Sequence, residues 1–284
     1  MSEYKFSLKD FGNLNQNQWC PGCGNFGILT AVKQAIIELE INPKDVLIVS
    51  GIGCSSKFPH YINCYGIETL HGRAIPTAIG AKMSNPNLHV IVVGGDGDGF
   101  SIGIGHFLHG IRSDVNITYI VLDNEIYALT KGQTSPRTQN GIKTPTSLNG
   151  YNNQFCPLSF AIINGCRFVA RSSSNNLSHM KEIIVQAISH KGFSFVDIMQ
   201  SCVSYYKTRD FKWFSENISE LDRNICPPEN KFKVLEYLEK INSKSKIEIG
   251  VFYKKEVDFV EYKKTKVFDD LDNINIYNCL KEFE

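Results

Sequence analysis

The sequence predicts an α/β fold, a doubly wound and mostly parallel sheet with a small C-terminal appendage. Three runs of apolar, largely β-branched residues point there: VLIVSGIGC at 46–54, LHVIVVGGDGD at 88–98 and NITYIVLDN at 116–124, each ending in glycine or polar residues. Continuous runs of this kind mark strands buried on both faces. Between them lie GRAIPTAIGAKMS and FSIGIGHFLHGIRS, both of helical character. Strand and helix therefore alternate, and right-handed crossovers build a parallel sheet covered on both sides.

The remaining elements follow in order. From Gly24 to Glu40 the apolar residues Leu29, Val32, Ile36 and Leu39 recur at three- and four-residue steps, which predicts an amphipathic helix starting just after a CPGC turn. CRFVARS (166–172), LSHMKEIIVQAISH (177–190) and FSFVDIM (193–199) continue the alternation to about residue 200. Residues 133–156, rich in Asn, Thr, Gly and Pro, form one long irregular insertion, of a length usually functional or mobile. Beyond Cys202 the pattern changes: 205–230 reads as irregular, 231–241 as a short helix, and IEIGVFY and VDFVEY as strands. The expected division is an α/β unit over 10–204 and an extension over 205–284.

Thirty Lys and Arg against twenty-nine Asp and Glu leave a net charge of +1 in 284 residues, so no overall attraction to nucleic acid or an anionic membrane is encoded. The first twenty residues lack a cationic and apolar leader, and apolar runs such as Val90 to Val93 are far shorter than a bilayer span. A soluble, cytoplasmic protein is expected.

In a parallel sheet, ligands bind at the carboxyl ends of the strands, where helix N-termini offer free N–H groups. GGDGDGFSIG stands at that position. Its glycines let backbone approach a phosphate closely, whereas Asp96 and Asp98 would repel a bare phosphate. A divalent cation between them removes the conflict, and Mg²⁺ combines a carboxylate or two with phosphate oxygens. The next strand ends in LDNEIY, bringing Asn124 to the same rim, 28 residues after Asp96. GDG followed by Asn at this interval resembles the thiamine diphosphate motif, which implies Mg²⁺ ligation by Asp96, Asn124 and the Ile126 carbonyl.

Nine cysteines, an odd number, argue against a disulfide framework. Cys64, Cys156, Cys166 and Cys279 have no partner at ligand spacing and read as free thiols. Cys20 and Cys23 bracket a Pro-Gly turn, and Cys54 lies on the rim after the first buried strand. A thioredoxin-like dithiol would follow a strand, but this pair precedes the first one; a zinc ribbon would want a second CxxC. An iron–sulfur cluster draws four thiolates from anywhere in the fold, and Cys202 can supply the fourth, with Cys226 the next cysteine downstream.

Together WCPGCGNFGIL, GIGCSSKFPHY, TLHGRAIPTAIGAK, GGDGDGFSIG, HFLHGIRSD and NEIYALTKGQTSP resemble the β subunits of the 2-oxoacid:ferredoxin oxidoreductases, in order over residues 10 to about 206. The resemblance implies a [4Fe–4S] cluster on Cys20, Cys23, Cys54 and Cys202. It implies thiamine diphosphate against Ile52, Gly53, Cys54, Ser55, His71, Gly97, Asp98, Ala128 and Leu129, and Lys57 near a substrate carboxylate. The reaction implied is coenzyme A-dependent oxidative decarboxylation of a 2-oxoacid such as 2-oxoglutarate or pyruvate, with electrons passed to ferredoxin. Only one GDG rim is present, so a larger α subunit, in an αβ or α₂β₂ assembly, is expected to supply the glutamate that activates the cofactor's aminopyrimidine. Departures from the family pattern are Ser201-Cys202-Val203-Ser204 for Pro-Cys-Val-Thr, Asp123 before Asn124 in place of an asparagine pair, and Arg137 in place of a small polar residue. Two other readings fit the same motifs: a non-redox thiamine decarboxylase or synthase with zinc on the cysteines, and a metal-stapled subunit binding another phosphate ligand.

Overall fold

The computed structural model describes residues 5–13, 15–150, 153–224, 228–242 and 246–259. Cys226 and Cys279 lie outside the described residues. Helix α1 (Asn25–Glu38) leads into β1 (Val46–Ser50) and β2 (Tyr65–Glu68), then α2 (Ala74–Ser84), β3 (His89–Gly95), α3 (Ile104–Ser113) and β4 (Thr118–Asp123). The hairpin β5 (Ile126–Tyr127) and β6 (Gln133–Thr134) precedes α4 (Pro157–Ile163), β7 (Phe168–Ser173), α5 (Leu177–Ser189) and β8 (Ser194–Met199). The chain continues through α6 (Phe211–Asn217), β9 (Ile218–Glu220), α7 (Lys231–Asn242) and β10 (Ile247–Lys254).

Eight strands form one sheet in the order β2-β1-β3-β4-β8-β7-β10-β9. All neighbours run parallel except β10 against β7. Alternation within the strands sorts their side chains to two cores. Ile48, Val93, Ile120, Val196 and Ala170 face α1 and α5 with Val32, Ile36, Met180 and Ile184. Val49, Val92, Tyr119, Val121 and Phe195 face the other way, against Ala78, Phe107, Ile111, Leu158 and Leu238. A strand apolar on both faces has no solvent side, which is why its sequence is a continuous apolar run.

The structure departs from the expectation in several places. β2 is an edge strand whose residues are all exposed, so YGIE carries no apolar run. Residues 205–230 hold α6 and β9, short elements whose periodicity is too brief to read. Of VDFVEY, 257–259 have no regular structure and 260–262 lie outside the described residues. The spans 10–204 and 205–284 share one sheet: β10 pairs with β7, and Val234, Leu238 and Phe252 enter the core of α2, α3 and α4.

The first two parallel connections from β1 set the position of the site. After β1 the chain turns to the α1 face, burying Phe58 and Tyr61 there; after β3 it turns to the α2 face through α3. Adjacent strands whose loops part to opposite faces leave a crevice at their carboxyl ends.

Since the two spans share a core, the chain should unfold in urea as one transition. Phe252→Ala, emptying a fully buried position, should lower stability by about 3–5 kcal/mol and shift the signal of both spans together. Two separate wild-type transitions would show independent units.

Candidate active site

The crevice opens into a cavity of about 440 Å³ walled by the β1, β3 and β4 loops, and Ile52, Gly53, Cys54, Ser55, His71, Asp96, Gly97, Asp98, Asn124, Ile126, Ala128 and Leu129 all line it. Residues expected at the cofactor and metal from four separate motifs thus converge. A neighbouring cavity of about 240 Å³ is lined by Cys20, Cys23, Cys54 and Cys202 with Lys57. Cys54, Asn124, Ala128 and Leu129 wall both.

Asp96 directly follows β3, almost wholly buried, and its Oδ2 has no hydrogen-bond partner. Burial, reinforced by the Asp123 charge, raises its carboxyl well above the ordinary value; Ser135 and Arg137 offset this only in part. A buried carboxylate with an idle oxygen fits a cation. Asn124 lines the same cavity, its Oδ1 accepting from the Ile126 N–H at 3.1 Å. Among the described residues no three His, Cys, Asp or Glu side chains gather as a single-ion site. The Mg²⁺ set expected here needs only a carboxylate, an amide and a backbone carbonyl.

Asp98 performs a different task. Its Oδ1 accepts from the backbone N–H groups of Ile52 at 2.9 Å and Gly72 at 2.7 Å, and His71 Nδ1 lies 3.0 Å away. One buried carboxylate therefore ties the β1 loop, the segment before α2 and the GDGDG turn together. Burial raises its carboxyl, with the two N–H groups pulling the other way. Gly53 has φ +141°, a conformation that favours glycine, and it bends the Ile52–Ser55 segment around the cavity. At Gly97 a Cβ would collide with the Tyr127 ring, whose hydroxyl donates to the Gly97 carbonyl at 2.8 Å.

The four cysteines face one another closely enough for their charges to interact. Burial, and then the Cys23, Cys202 and Cys20 sulfurs, pushes the Cys54 thiol up to about 12. Burial likewise raises Cys23. A positively charged metal centre would offset what holds the Cys54 and Cys23 thiols up. Donors are already aimed at them: the Ser204 hydroxyl at Cys20 Sγ, 3.2 Å, and the Tyr205 N–H at Cys202 Sγ, 3.4 Å. Lys57, expected at the substrate carboxylate, lines the smaller cavity beside the cysteines and not the larger one.

Sequence reasoning missed Tyr127, Thr130, Gln133 and Gln200 on the cavity wall. The ion pairs beneath were not anticipated either. Arg137 Nε donates to Asp123 Oδ2 at 2.6 Å, Arg209 Nη1 to Glu125 Oε1 at 2.7 Å and Arg171 Nε to Asp197 Oδ2 at 2.9 Å, all buried. Burial raises the Glu125 carboxyl to about 7 despite Arg209 and Arg137.

Against known families, residues 51–198 match the model of the thiamine pyrophosphate enzyme C-terminal TPP binding domain, and residues 202–267 match the model of the C-terminal part of the pyruvate ferredoxin oxidoreductase β chain. The 2-oxoacid:ferredoxin oxidoreductase subunit β of Saccharolobus solfataricus is 44% identical over 252 residues, covering 85% of this chain and 83% of that protein. The chain belongs to the β subunits of the 2-oxoacid:ferredoxin oxidoreductases. The KorB subunit of the 2-oxoglutarate synthase of Methanocaldococcus jannaschii is 41% identical over 189 residues, 66% of this chain and 70% of that one. A solved 2-oxoglutarate:ferredoxin oxidoreductase from Magnetococcus marinus, with 2-oxoglutarate, coenzyme A and succinyl-CoA bound, superposes with a TM-score of 0.86 at 33% identity, covering 100% of this chain and 97% of that one. The family's thiamine-binding domain is thus the sheet and rim described above, and no helix among the described residues is long and apolar enough to cross a membrane.

Gly97→Ala should displace the Tyr127 ring and break its bond to the Gly97 carbonyl. Overpacking of this kind costs about 1–3 kcal/mol, and thiamine diphosphate affinity, read by calorimetric titration, should fall at least tenfold. An unchanged affinity would mean that the ligand does not meet this turn.

Proposed function

We propose that the chain is the catalytic β subunit of an enzyme that oxidatively decarboxylates a 2-oxoacid, 2-oxoglutarate or pyruvate, to an acyl-CoA and CO₂ in the cytoplasm and delivers the electrons to ferredoxin. The observation that carries this reading is the shared wall: Cys54, Asn124, Ala128 and Leu129 border both the cavity of the phosphate motif and that of the four cysteines. When bound, thiamine diphosphate supplies the carbon nucleophile and the electron-rich adduct of the reaction, and a [4Fe–4S] cluster accepts its electrons singly.

This chain's residues bind and orient. Asp96, Asn124 and the Ile126 carbonyl hold Mg²⁺, placing positive charge where the diphosphate needs it. Ile52, Gly53, Ser55 and Gly97 offer backbone and hydroxyl contacts around the cofactor, Ala128 and Leu129 pack against it, and Asp98 fixes the loops that carry Ile52 and His71. Cys20, Cys23, Cys54 and Cys202 would ligate the cluster, in the cavity that shares a wall with that of the phosphate motif. Lys57, at the cysteine cavity, meets the substrate carboxylate from that side. A glutamate from the partner α chain completes the thiamine site in trans, since this chain contributes one half of it.

The test is anaerobic purification of the chain with its α partner. Asp96→Ala should lose Mg²⁺-dependent thiamine diphosphate binding while keeping iron and visible absorbance; wild-type affinity would remove Asp96 from the metal site. Serine at Cys20, Cys23, Cys54 or Cys202 should lower iron and bleach the visible band, and full iron in Cys202→Ser would move the fourth ligand to another cysteine. Zinc in place of iron would favour the non-redox thiamine reading. The β chain without α, loaded with cluster, cofactor and Mg²⁺, should not reduce a viologen dye when a 2-oxoacid is added; robust turnover would show that no partner is needed.

A further inference from the structure

The motifs above account for the cavity walls but not for the buried charges that stand behind Asn124. Asp123 and Glu125 flank it in sequence, both nearly inaccessible to solvent. Glu125 is left-handed, with φ +61°, and turns the chain so that Asn124 and Ile126 share the rim. Asp123 Oδ1 closes that turn by accepting from the Glu125 N–H at 3.1 Å.

One short segment of the insertion, residues 135–138, braces this turn. Arg137 Nε donates to Asp123 Oδ2 at 2.6 Å, its Nη2 lies 3.7 Å from Glu125 Oε1, and its Nη1 donates to the Phe155 carbonyl at 2.7 Å. The Thr138 hydroxyl donates to the Glu125 carbonyl at 2.6 Å. Ser135 hydrogen-bonds Asp96 just after the neighbouring β3. The segment is itself a closed turn, Thr138 N–H to the Ser135 carbonyl at 3.1 Å. Thus one turn grips the ends of both β3 and β4, and its firmest hold is the Arg137–Asp123 pair.

We propose that Arg137 and Asp123 act as one interdependent positioning pair for the metal loop, setting where Asn124 and Ile126 stand relative to Asp96. The proposal rests on the reading of this rim as the Mg²⁺-thiamine diphosphate site. The physical ground is the asymmetry of buried ion pairs: losing one partner strands a buried charge, whereas replacing both with neutral groups removes the problem. A stranded Asp123 carboxylate or Arg137 guanidinium would sit one residue, or one side chain, from Asn124. The guanidinium fork also joins Asp123, Glu125 and the Phe155 carbonyl at once, which a point-charge ammonium cannot reproduce.

The test is a double-mutant cycle in the purified complex with the α partner, titrated with thiamine diphosphate at several Mg²⁺ concentrations, with iron content measured in parallel. Asp123→Asn and Arg137→Ser should each weaken thiamine diphosphate binding at least tenfold and raise the Mg²⁺ concentration for half-saturation, with iron unchanged. The double variant should bind at least tenfold more tightly than the product of the single effects allows. Arg137→Lys should not restore wild-type affinity. Unchanged affinity in the single variants, or effects that simply multiply, would overturn the pair. A loss in the single variants that Mg²⁺ does not relieve, accompanied by loss of iron, would show a general structural defect and also overturn it. If the wild-type complex binds no thiamine diphosphate, the reading of the rim itself fails. Should Arg137→Ser not fold, Asp123→Asn, which keeps the side-chain shape, decides between the outcomes.

Discussion

A charge buried at the end of a strand must be compensated, and the rim of this sheet is organised around that requirement. Asp96, Asp123, Glu125 and Asp197 are all withdrawn from water within a few residues of the carboxyl edge. Arg137, Arg209 and Arg171 answer three of them through direct ion pairs. Asp96 is the fourth: among the described residues no arginine is paired directly with it, its Oδ2 has no hydrogen-bond partner, and it lines the cavity. Arginines thus pair with the other three, and Asp96, which meets none, is the carboxylate of this set that lines the cavity.

The cysteine cavity obeys the same logic with softer ligands. Burial and mutual proximity hold the Cys54 and Cys23 thiols up, so an electropositive centre gains by binding there. Its position is set by the fold: Cys54 follows β1, Cys202 follows β8, and the Cys20–Cys23 turn sits at the entry to α1. The Trp19 indole donates to the Cys54 carbonyl at 2.7 Å and packs on Phe58 and Tyr61, fastening the N-terminal turn to the β1 loop. The two cavities therefore share a wall built from Cys54 of the β1 loop and Asn124, Ala128 and Leu129 after β4.

Much of this is legible in the sequence because parallel strands buried on both faces write themselves as apolar runs, and because glycine, aspartate and cysteine at strand ends have few other uses. The GDGDG turn, Asn124 and the four cysteines line the two adjoining cavities. The exposed edge strand β2 and the short β9 leave no run to read. The arginine pairings are not legible for another reason: Arg209 reaches Glu125 from 84 residues away, and although Asp123 and Arg137 stand out in the sequence, an arginine in a polar loop carries no periodicity that names its partner. Likeness of motif alone puts Lys57 near a substrate, and the geometry sets it on the cysteine side, where the helical turn 54–61 carries it. The C-terminal residues read as an appendage because their elements are short, yet β10 closes on β7 and Phe252 fills the common core.

Electron flow from a 2-oxoacid to a cluster, between two adjacent cavities of this chain, is the core of the proposed function. The most direct measurement is electron paramagnetic resonance of the anaerobic complex with its α partner, frozen after mixing with 2-oxoglutarate or pyruvate before any ferredoxin is added. The account predicts a reduced-cluster signal that depends on both thiamine diphosphate and Mg²⁺. A cluster that stays oxidised in cofactor-loaded complex while CO₂ is released would contradict it.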